Sequence, residues 1–592
     1  MRVQLAQQAQ DLLGQSDRVI ITERVDDVAL LIGQMVTMGF VEVLDRHLPR
    51  PWKQRRLSWG WTVVIWLASI LTEGDHRKGS VEASLTGMHP PLSQLTGQRI
   101  EPLDCSDDRL GHLLTHLRKP TYWHGIEEDL HARSIAVYVL LQDVIRCDAT
   151  TVSGAHDVTE GGLVQFGQSQ DDPTRPQIKV MRGSLDPVGM PLAPDGRSGE
   201  RADEGVSIPI IKRIEAGRSQ SGVLFVGDGT MSAWDTRVYL VGHQHVYLSP
   251  LPVTGATAEA MAAWMTEGVA QGETGERERM FRTNDRGHEV LAAEGDECER
   301  TCWAPEGETG WTERVVVMRS PRHAAQQAAG LATRRSQAEK PLAALTPPRG
   351  RGKRQITDAV ALVEAMDKVL KAPRVRGLLS VAWEKQVEQT THYVGRGRGA
   401  VRREKRVMQQ TRSHITHITR QGEPIAALTQ RFGWKAFVTK APRTRLSLQE
   451  AVVCYRHAYR VERIFHRLKS RVHIAPLFVK RNEHIEGLTS LLTLGVRVLT
   501  VMECVLRRSL AQDQARLPNM HPENKHKRTD TPTAERLLQA FAGVSLTIIA
   551  HATGEDILRR LTPLSGLQKD ILQRLGLGTP LYRQLEMQNI GS

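Results

Sequence analysis

The stretch SLQEAVVCYRHAYRVERIFHRLKS, residues 447–470, decides the prediction of the fold. Ser447 and Glu450 have the spacing of a capping box, in which each side chain satisfies a backbone N–H at a helix start. At about 100° per residue, the apolar side chains that follow fall on one face, and Glu462 falls among them. The sequence therefore predicts one helix over residues 447–470 with a carboxylate on its packed side.

A stripe of arginines lies on another face of this predicted helix. Few acidic side chains lie at helical spacing from these arginines, so the stripe is typical of a surface that faces phosphates, with a solvated face as the alternative. The stripe consists of Arg456, Arg460, Arg463, Arg467 and Arg471. Glu462, packed among apolar groups, requires a positive partner. Lys469 in a buried ion pair and a divalent metal are the two candidates, and a frayed, partly exposed helix side that needs no partner is the alternative.

Two more carboxylates follow predicted strands. The β-branched run at 144–154 carries Asp148, and the run at 222–228 ends on Asp228. If these two strands are parallel neighbours, we expect both aspartates side by side at one edge of a mixed α/β sheet. An isolated aspartate after a strand is more often a turn former or a helix N-cap, and that alternative stays open for each.

Tyr455, Glu462 and Lys469 resemble the Tyr-x2-Arg-x3-Glu-x6-Lys signature of DDE-type bacterial insertion-sequence transposases. Ala458 departs from it, because it stands where the signature has arginine; Arg456 and Arg460 are candidate substitutes. The preceding GWKAFVTK, residues 433–440, and the following residues 481–500 resemble the strand and the helix that flank the signature in that family. The resemblance implies that Asp148, Asp228 and Glu462 form the catalytic triad of an RNase H-like fold.

The resemblance also implies a chemistry. Three carboxylates in one small site stay ionised only beside cations, and two Mg²⁺ ions, or Mn²⁺, would serve an in-line displacement at phosphorus. Tyr455 and Lys469 would hold the phosphates that flank the scissile bond. The expected enzyme cleaves DNA at the terminal inverted repeats of a transposon and transfers the 3′-OH into target DNA, as a DNA-bound homodimer. The alternatives are a metal-dependent nuclease without strand transfer and an inactive transposase-derived DNA-binding protein.

The composition agrees with a nucleic-acid partner. The 592-residue chain has a net charge of +13, which favours a polyanion. Its six cysteines are sparse, and its start lacks an apolar signal segment, so we expect reduced thiols in a cytosol. The resemblance to the transposases implies a bacterial cytoplasm, near the nucleoid. The apolar segments 61–71 and 488–506 are predicted as buried helices, because the first is short for a membrane span and Arg497 interrupts the second.

The predicted fold class is α/β. We expect an RNase H-like mixed sheet with flanking helices, interrupted by an insertion domain, with helical N-terminal and C-terminal parts. The expected divisions are a helical DNA-binding or dimerisation domain at 1–140, the core at 141–252 and 426–515, the insertion at 253–425, and a linker with a helical region at 516–592. Two basic, glycine-rich segments, 347–355 and 395–406, are predicted as flexible phosphate-binding loops, with ordinary solvated linkers as the alternative.

Overall fold

The structure is a computed structural model. It describes residues 18–50, 57–86, 88–154, 156–167, 172, 174–200, 207–217, 220–267, 277–283, 288–305, 307, 310–348, 356–371, 374–394, 405–457, 459–470, 474, 477–521, 523–524, 526–551 and 556–586. The chain divides into two compact units. The first consists of Met1–Ser249, Trp303–Trp311 and Cys454–Ser592, and the second of Pro250–Cys302 and Thr312–Val453.

The N-terminal part of the first unit is helical after one strand, largely as predicted. Its elements are β1 (Arg18–Arg24), α1 (Val28–Thr37), α2 (Phe40–His47), α3 (Trp59–Glu73), α4 (Lys78–Thr86), α5 (His89–Thr96), α6 (Asp107–Arg118) and α7 (Pro120–Tyr138). The Ser58 hydroxyl caps α3 by accepting from the Trp61 N–H. Gly74 ends α3 at φ +69°, a conformation that favours glycine. Most of α3 is buried, which confirms the predicted buried helix at 61–71.

A mixed sheet forms the centre of the first unit and confirms the predicted α/β class. Its elements are β2 (Val144–Ser153), β3 (Gln177–Leu185), β4 (Met190–Ser198), α8 (Ser207–Ala216), β5 (Leu224–Val226), α9 (Trp234–Gly242) and β6 (Val246–Pro250). The strands lie in the order β4-β3-β2-β5-β6. Strand β2 is antiparallel to β3 and parallel to β5, and β5 is parallel to β6.

The second unit combines strands with helices. Its elements are α10 (Ala256–Glu267), β7 (Glu278–Thr283), β8 (Glu289–Trp303), β9 (Gly310–Arg319), α11 (Pro321–Leu345), α12 (Ala359–Lys371), β10 (Leu379–Tyr393), β11 (Lys405–Arg420), α13 (Gly422–Gln430) and β12 (Trp434–Thr439). Four strands lie in the order β12-β9-β8-β7. Strands β10 and β11 pair antiparallel as a ribbon over about 15 residues each, which the sequence analysis did not predict.

A small apolar core holds the base of this ribbon. Leu331 and Leu342 of α11 pack with Leu362 of α12 and Phe432. The second unit continues to Val453, beyond the predicted insertion boundary at 425. Strand β12, which we predicted to belong to the catalytic core, pairs along its whole length with β9. Parts of the two basic segments, 349–355 and 395–404, lie outside the described residues.

The predicted single helix at 447–470 is wrong, because the structure divides it into α14 (Leu448–Arg456) and α15 (Tyr459–Ser470). The capping box is confirmed: Glu450 accepts from the Ser447 N–H at 2.8 Å, and Ser447 Oγ accepts from the Glu450 N–H at 3.2 Å. His457 lies in the turn between the helices, and Ala458 lies outside the described residues. The break changes the helical phase, so faces assigned on a continuous helix do not apply to α15.

The next helix, α16 (Asn482–Gln512), is the central helix of the first unit. It is long and apolar enough to span a membrane, but 89% of its apolar window is buried inside the protein. A core helix of a soluble protein has the same character, as predicted for 488–506. A Cβ at Gly487 would lie 2.1 Å from the Leu114 carbonyl oxygen, so glycine is required where α16 and α6 approach.

The C-terminal region is not wholly helical, which corrects the prediction for 516–592. It contains α17 (Ala534–Gln539), β13 (Ser545–His551), β14 (Asp556–Leu561), α18 (Gly566–Arg574) and α19 (Pro580–Arg583). Strand β13 pairs antiparallel with β1 and with β14. The Tyr582 hydroxyl also donates to the Asp26 carbonyl oxygen at 2.7 Å. The two ends of the described chain therefore fold as one body instead of two separate domains.

Candidate active site

Parallel pairing of β2 and β5 brings Asp148 and Asp228 together. Arg146 lies opposite Val226 in the last pair of this ladder. Asp148 follows two residues later within β2, and Asp228 follows two residues after Val226, just beyond the end of β5. This arrangement agrees with the expected edge of the sheet. The prediction that the first run ends on its carboxylate is wrong, because β2 continues past Asp148 to Ser153 in its pairing with β3.

Helix α15 contributes the third carboxylate. Glu462, His466 and Lys469 recur at the i, i+4, i+7 spacing of one helix face, and all three line the same cavity as the aspartates. Glu462 is exposed, whereas the apolar side of α15 is formed by Ile464 and Leu468. The prediction that Glu462 lies buried among apolar groups is therefore corrected. Its carboxylate faces an open cavity.

The cavity has a volume of about 490 Å³. Every predicted triad and signature side chain described by the structure lines it: Asp148, Asp228, Glu462, Tyr455 and Lys469. Residues more than 300 positions apart in the sequence thus share one site. Phe465 and His466 of α15 also line the cavity and were not predicted. Their spacing from Glu462 on a helix is the signal that would have found them.

The carboxylates influence one another. Burial, and to a lesser extent the negative charges of Asp228 and Glu462, together raise the pKa of Asp148 to about 7, against one hydrogen bond from the Ala149 N–H that lowers it. Burial, followed by the charges of the same three acids, raises the pKa of the Tyr455 hydroxyl above its ordinary value. The negative charges of neighbouring acids therefore act on both Asp148 and Tyr455 in this cavity, and an added cation beside them would be stabilised.

Asp228 also has a structural contact. Its Oδ1 accepts from the Thr230 N–H at 3.0 Å and from the Thr230 hydroxyl at 2.5 Å, capping a short 3₁₀ turn. The N-cap interpretation of this residue is therefore confirmed, together with its place at the cavity. The cap fixes one carboxylate oxygen and thereby orients the side chain.

The donor set of this cavity suits a divalent cation that prefers oxygen. Carboxylates are the ligands that Mg²⁺ and Mn²⁺ take, and a cation would offset the burial and the neighbouring negative charges that raise the pKa of Asp148. Within the described residues, however, no group of three or more His, Cys, Asp or Glu side chains is close enough to hold a metal ion as arranged. The chemistry of the residues fits a metal, and the three carboxylates would have to come closer together to bind it.

Arg146 supports the site and was missed by the sequence analysis. It is 2% exposed, donates to Asp186 at 2.7 Å and donates to the Cys454 carbonyl oxygen at 2.6 Å. It thereby ties β2 to the end of α14, one residue before Tyr455. Alternation along a strand places Arg146, Asp148 and Thr150 on one face, and this period of two is the signal that could have identified it.

Two arginines of the predicted stripe, Arg463 and Arg467, pair with acids of the fold. Arg467 is buried with 3% of its side chain exposed and forms ion pairs with Glu503 and Glu535, while Arg463 pairs with Glu503 at 3.0 Å. These arginines neutralise acids of α16 and α17, two helices that lie well beyond α15 in the sequence. The Arg460 side chain and Arg471 lie outside the described residues, and Arg456 is half-buried at the end of α14.

Comparisons with known proteins give little support for an identity. No protein-family model matches the sequence, and no curated protein matches it. Among solved structures, the chain is similar to the piggyBac transposase in its synaptic complex with hairpin DNA, at 8% identity and a TM-score of 0.25. The similarity covers 51% of this chain and 61% of that transposase, about three-fifths of its length. A TM-score this low carries no argument about the function of this chain.

Proposed function

We propose that this chain is a DDE transposase with an RNase H-like catalytic core, which cleaves DNA at transposon ends and joins the freed 3′-OH to target DNA. The single observation that supports this most is the meeting of Asp148, Asp228 and Glu462 at one cavity beside Tyr455 and Lys469. The Tyr, Glu and Lys positions are those of the transposase signature that the sequence resembles. The expected location is the bacterial cytoplasm, near the nucleoid.

The three carboxylates would hold the divalent metal, with Mg²⁺ favoured and Mn²⁺ accepted. A pair of such ions would supply activation of the attacking oxygen and stabilisation of the leaving oxygen. The protein's own contribution is geometric. Arg146 and the Thr230 cap hold two of the elements that carry the acids, so the carboxylates are oriented before substrate binds.

Tyr455 and Lys469 have the properties needed to bind the DNA backbone at the site. The raised pKa of Tyr455 keeps its hydroxyl protonated at neutral pH, so it can donate a hydrogen bond to a phosphate oxygen. Lys469 lines the same cavity with a charge that suits a phosphate. Together they would orient the phosphates on either side of the scissile bond.

The ribbon of β10 and β11 is our proposed wider contact with duplex DNA. Residues 405–410 are exposed at every position, so this part of β11 projects on both faces. Its described outer part carries Lys385, Lys405, Arg406 and Arg412 against Glu388. The major groove admits a two-stranded ribbon, and the positive charge would favour binding through counterion release. Binding two transposon ends would further require two copies of the chain.

The proposal is tested with Asp228→Asn, which keeps the shape of the side chain and removes its charge. We expect metal-dependent cleavage of a cognate end to fall about a thousandfold, since loss of a metal ligand removes several kcal/mol of transition-state stabilisation. Asp235→Asn on α9 is the control, because Asp235 is exposed and does not line the cavity. Full cleavage by the Asp228 variant would contradict the proposal.

A strand-transfer assay separates the alternatives. The transposase should join a pre-cleaved 3′ end to target DNA, whereas a nuclease of the same fold would release nicked DNA and join nothing. An inactive transposase-derived binding protein would bind ends without cutting them. Since Ala458 replaces the signature arginine, Ala458→Arg is expected to raise the rate if that position contacts the cleaved end.

A further inference from the structure

Helix α15 carries Glu462 toward the cavity and two arginines toward the opposite side. We name Arg463, Arg467, Glu503, Arg507 and Glu535 the arginine clamp. Glu503 on α16 is 2% exposed, and Arg463 and Arg507 lie 3.0 Å and 2.6 Å from its Oε1. Arg467 reaches its other oxygen, so one buried carboxylate faces three guanidinium groups.

The C-terminal region completes this clamp. Glu535 of α17 accepts from Arg467 Nε at 2.8 Å, so Arg467 bridges Glu503 and Glu535. The Ala534 N–H, at the start of the same helix, donates to Glu503 Oε2 at 3.3 Å. Burial lowers the pKa of Arg467, but Glu503 and Glu535 outweigh it and leave the pKa above the ordinary value. Without Glu535 the cluster would hold three arginines against one acid.

We propose that Glu535 is a positioning residue for Glu462, and that residues 534–535 of the C-terminal region thereby set the geometry of the cavity. A helix is stiff, so the orientation of Arg463 and Arg467 on one side fixes the direction of Glu462 on the other. A rotation of α15 that turned Glu462 away would separate Arg467 from two carboxylates at once. This inference rests on the proposed function, in which Glu462 is a metal ligand.

The test is Glu535→Gln in the full-length chain, with Glu523→Gln as the matched control. Glu523 lies in the same region and pairs with Arg536, but it is 61% exposed and belongs to no clamp contact. We expect Glu535→Gln to lower the single-turnover cleavage rate about ten- to a hundredfold, the effect of misplacing a reacting group by about 1 Å. The Kd for transposon-end DNA should change less than twofold. Glu523→Gln should match the wild type in both.

A double-mutant cycle with Arg467→Met shows whether Glu535 acts through Arg467. Once Arg467→Met is present, adding Glu535→Gln should change the rate less than twofold; additive losses would overturn the proposal. A merely structural Glu535 would lower Tm and leave the rate unchanged below the unfolding transition, which would also overturn it.

Amide hydrogen exchange keeps this inference separate from the proposed function. Glu535→Gln should accelerate exchange within 459–470 and leave α16 and β2 unchanged, and this readout requires no catalysis. If the wild type cleaves no transposon end, the proposed function is wrong. The exchange result would still show whether Glu535 fixes the orientation of α15 through the arginine clamp. Unchanged exchange within 459–470 would overturn it.

Discussion

The two sides of α15 show two opposite ways of handling carboxylates. On one side, Glu462 shares an open cavity with Asp148 and Asp228, and burial together with the negative charge of its neighbours raises the pKa of Asp148 to about 7. On the other side, Glu503 is almost completely buried yet surrounded by three arginines. The difference lies in compensation: an acid matched by arginines stabilises the fold, whereas acids that repel one another mark a place where a cation is expected.

This comparison gives each side a distinct mutational signature. Neutralising a compensated acid leaves buried guanidinium groups without partners and should destabilise the protein. Neutralising an uncompensated acid should remove repulsion, stabilise the protein and abolish activity.

The largest expected effect on stability belongs to Glu503→Gln. Breaking a buried ion pair by removing one partner costs about 3–5 kcal/mol, because the remaining charge stays buried and unpaired. We expect the free energy of unfolding of the first unit to fall by about that amount in urea titrations at pH 7. Glu523→Gln should change it by less than about 1 kcal/mol, since exposed ion pairs contribute little. Equal free energies of unfolding for Glu503→Gln and Glu523→Gln would contradict the view that the arginines make Glu503 important for stability.

For Asp148→Asn, we expect a change in the free energy of unfolding of the opposite sign. The folded-state pKa of Asp148 is about 7 and its ordinary value is 3.8, so the folded state retains a proton that the unfolded state has lost. This group therefore stabilises the fold fully below pH 4 and loses that contribution as the pH rises to about 7. At about 1.36 kcal/mol per pKa unit, the loss at pH 8 is at most a few kcal/mol.

The variant lacks this titration. In metal-free buffer, the Tm of Asp148→Asn relative to the wild type should therefore rise between pH 4 and pH 8. Adding Mg²⁺ at pH 8 should raise the Tm of the wild type and leave that of the variant nearly unchanged, because ligand binding stabilises the state that binds it. A pH-independent difference in Tm would mean that Asp148 is compensated like Glu503.

Local patterns in the sequence predicted much of this site. The capping box at Ser447 and Glu450 depends on a spacing of three residues, and the strand runs before Asp148 and Asp228 depend on β-branched composition, so both are visible in the chain itself. The five cavity residues were named from these patterns together with the resemblance to a signature. The meeting of Asp148 and Asp228 then followed from parallel pairing of β2 and β5.

The predictions were wrong where the environment of a residue depends on partners that are distant in the sequence. The arginines of α15 were predicted to face DNA because few acids lie at helical spacing from them, whereas Glu503 and Glu535 reach Arg467 from 36 and 68 residues beyond it in the sequence. The pairing of β1 with β13 joins the two ends of the chain, and helical periodicity gives no sign of it. The prediction treated residues 447–470 as one continuous helix. Because one helix ends at Arg456 and the next begins at Tyr459, Glu462 lies on a different face from the one predicted.

The smallest expected effects concern two tyrosines, one at the cavity and one that binds an acid elsewhere in the first unit. Tyr455 lines the cavity, and Tyr239 donates to Glu215 at 2.6 Å elsewhere in the same unit. Tyr455→Phe should slow end cleavage about tenfold through loss of one hydrogen bond to phosphate. Tyr239→Phe should lower the free energy of unfolding by about 1 kcal/mol and leave cleavage unchanged, since Glu215 loses a part-buried hydrogen-bond donor. Because both variants remove one hydroxyl, single-turnover rates and urea titrations on the pair separate a group kept for substrate from one kept for the fold. If Tyr455→Phe lost stability and retained its rate, the cavity would be a structural pocket.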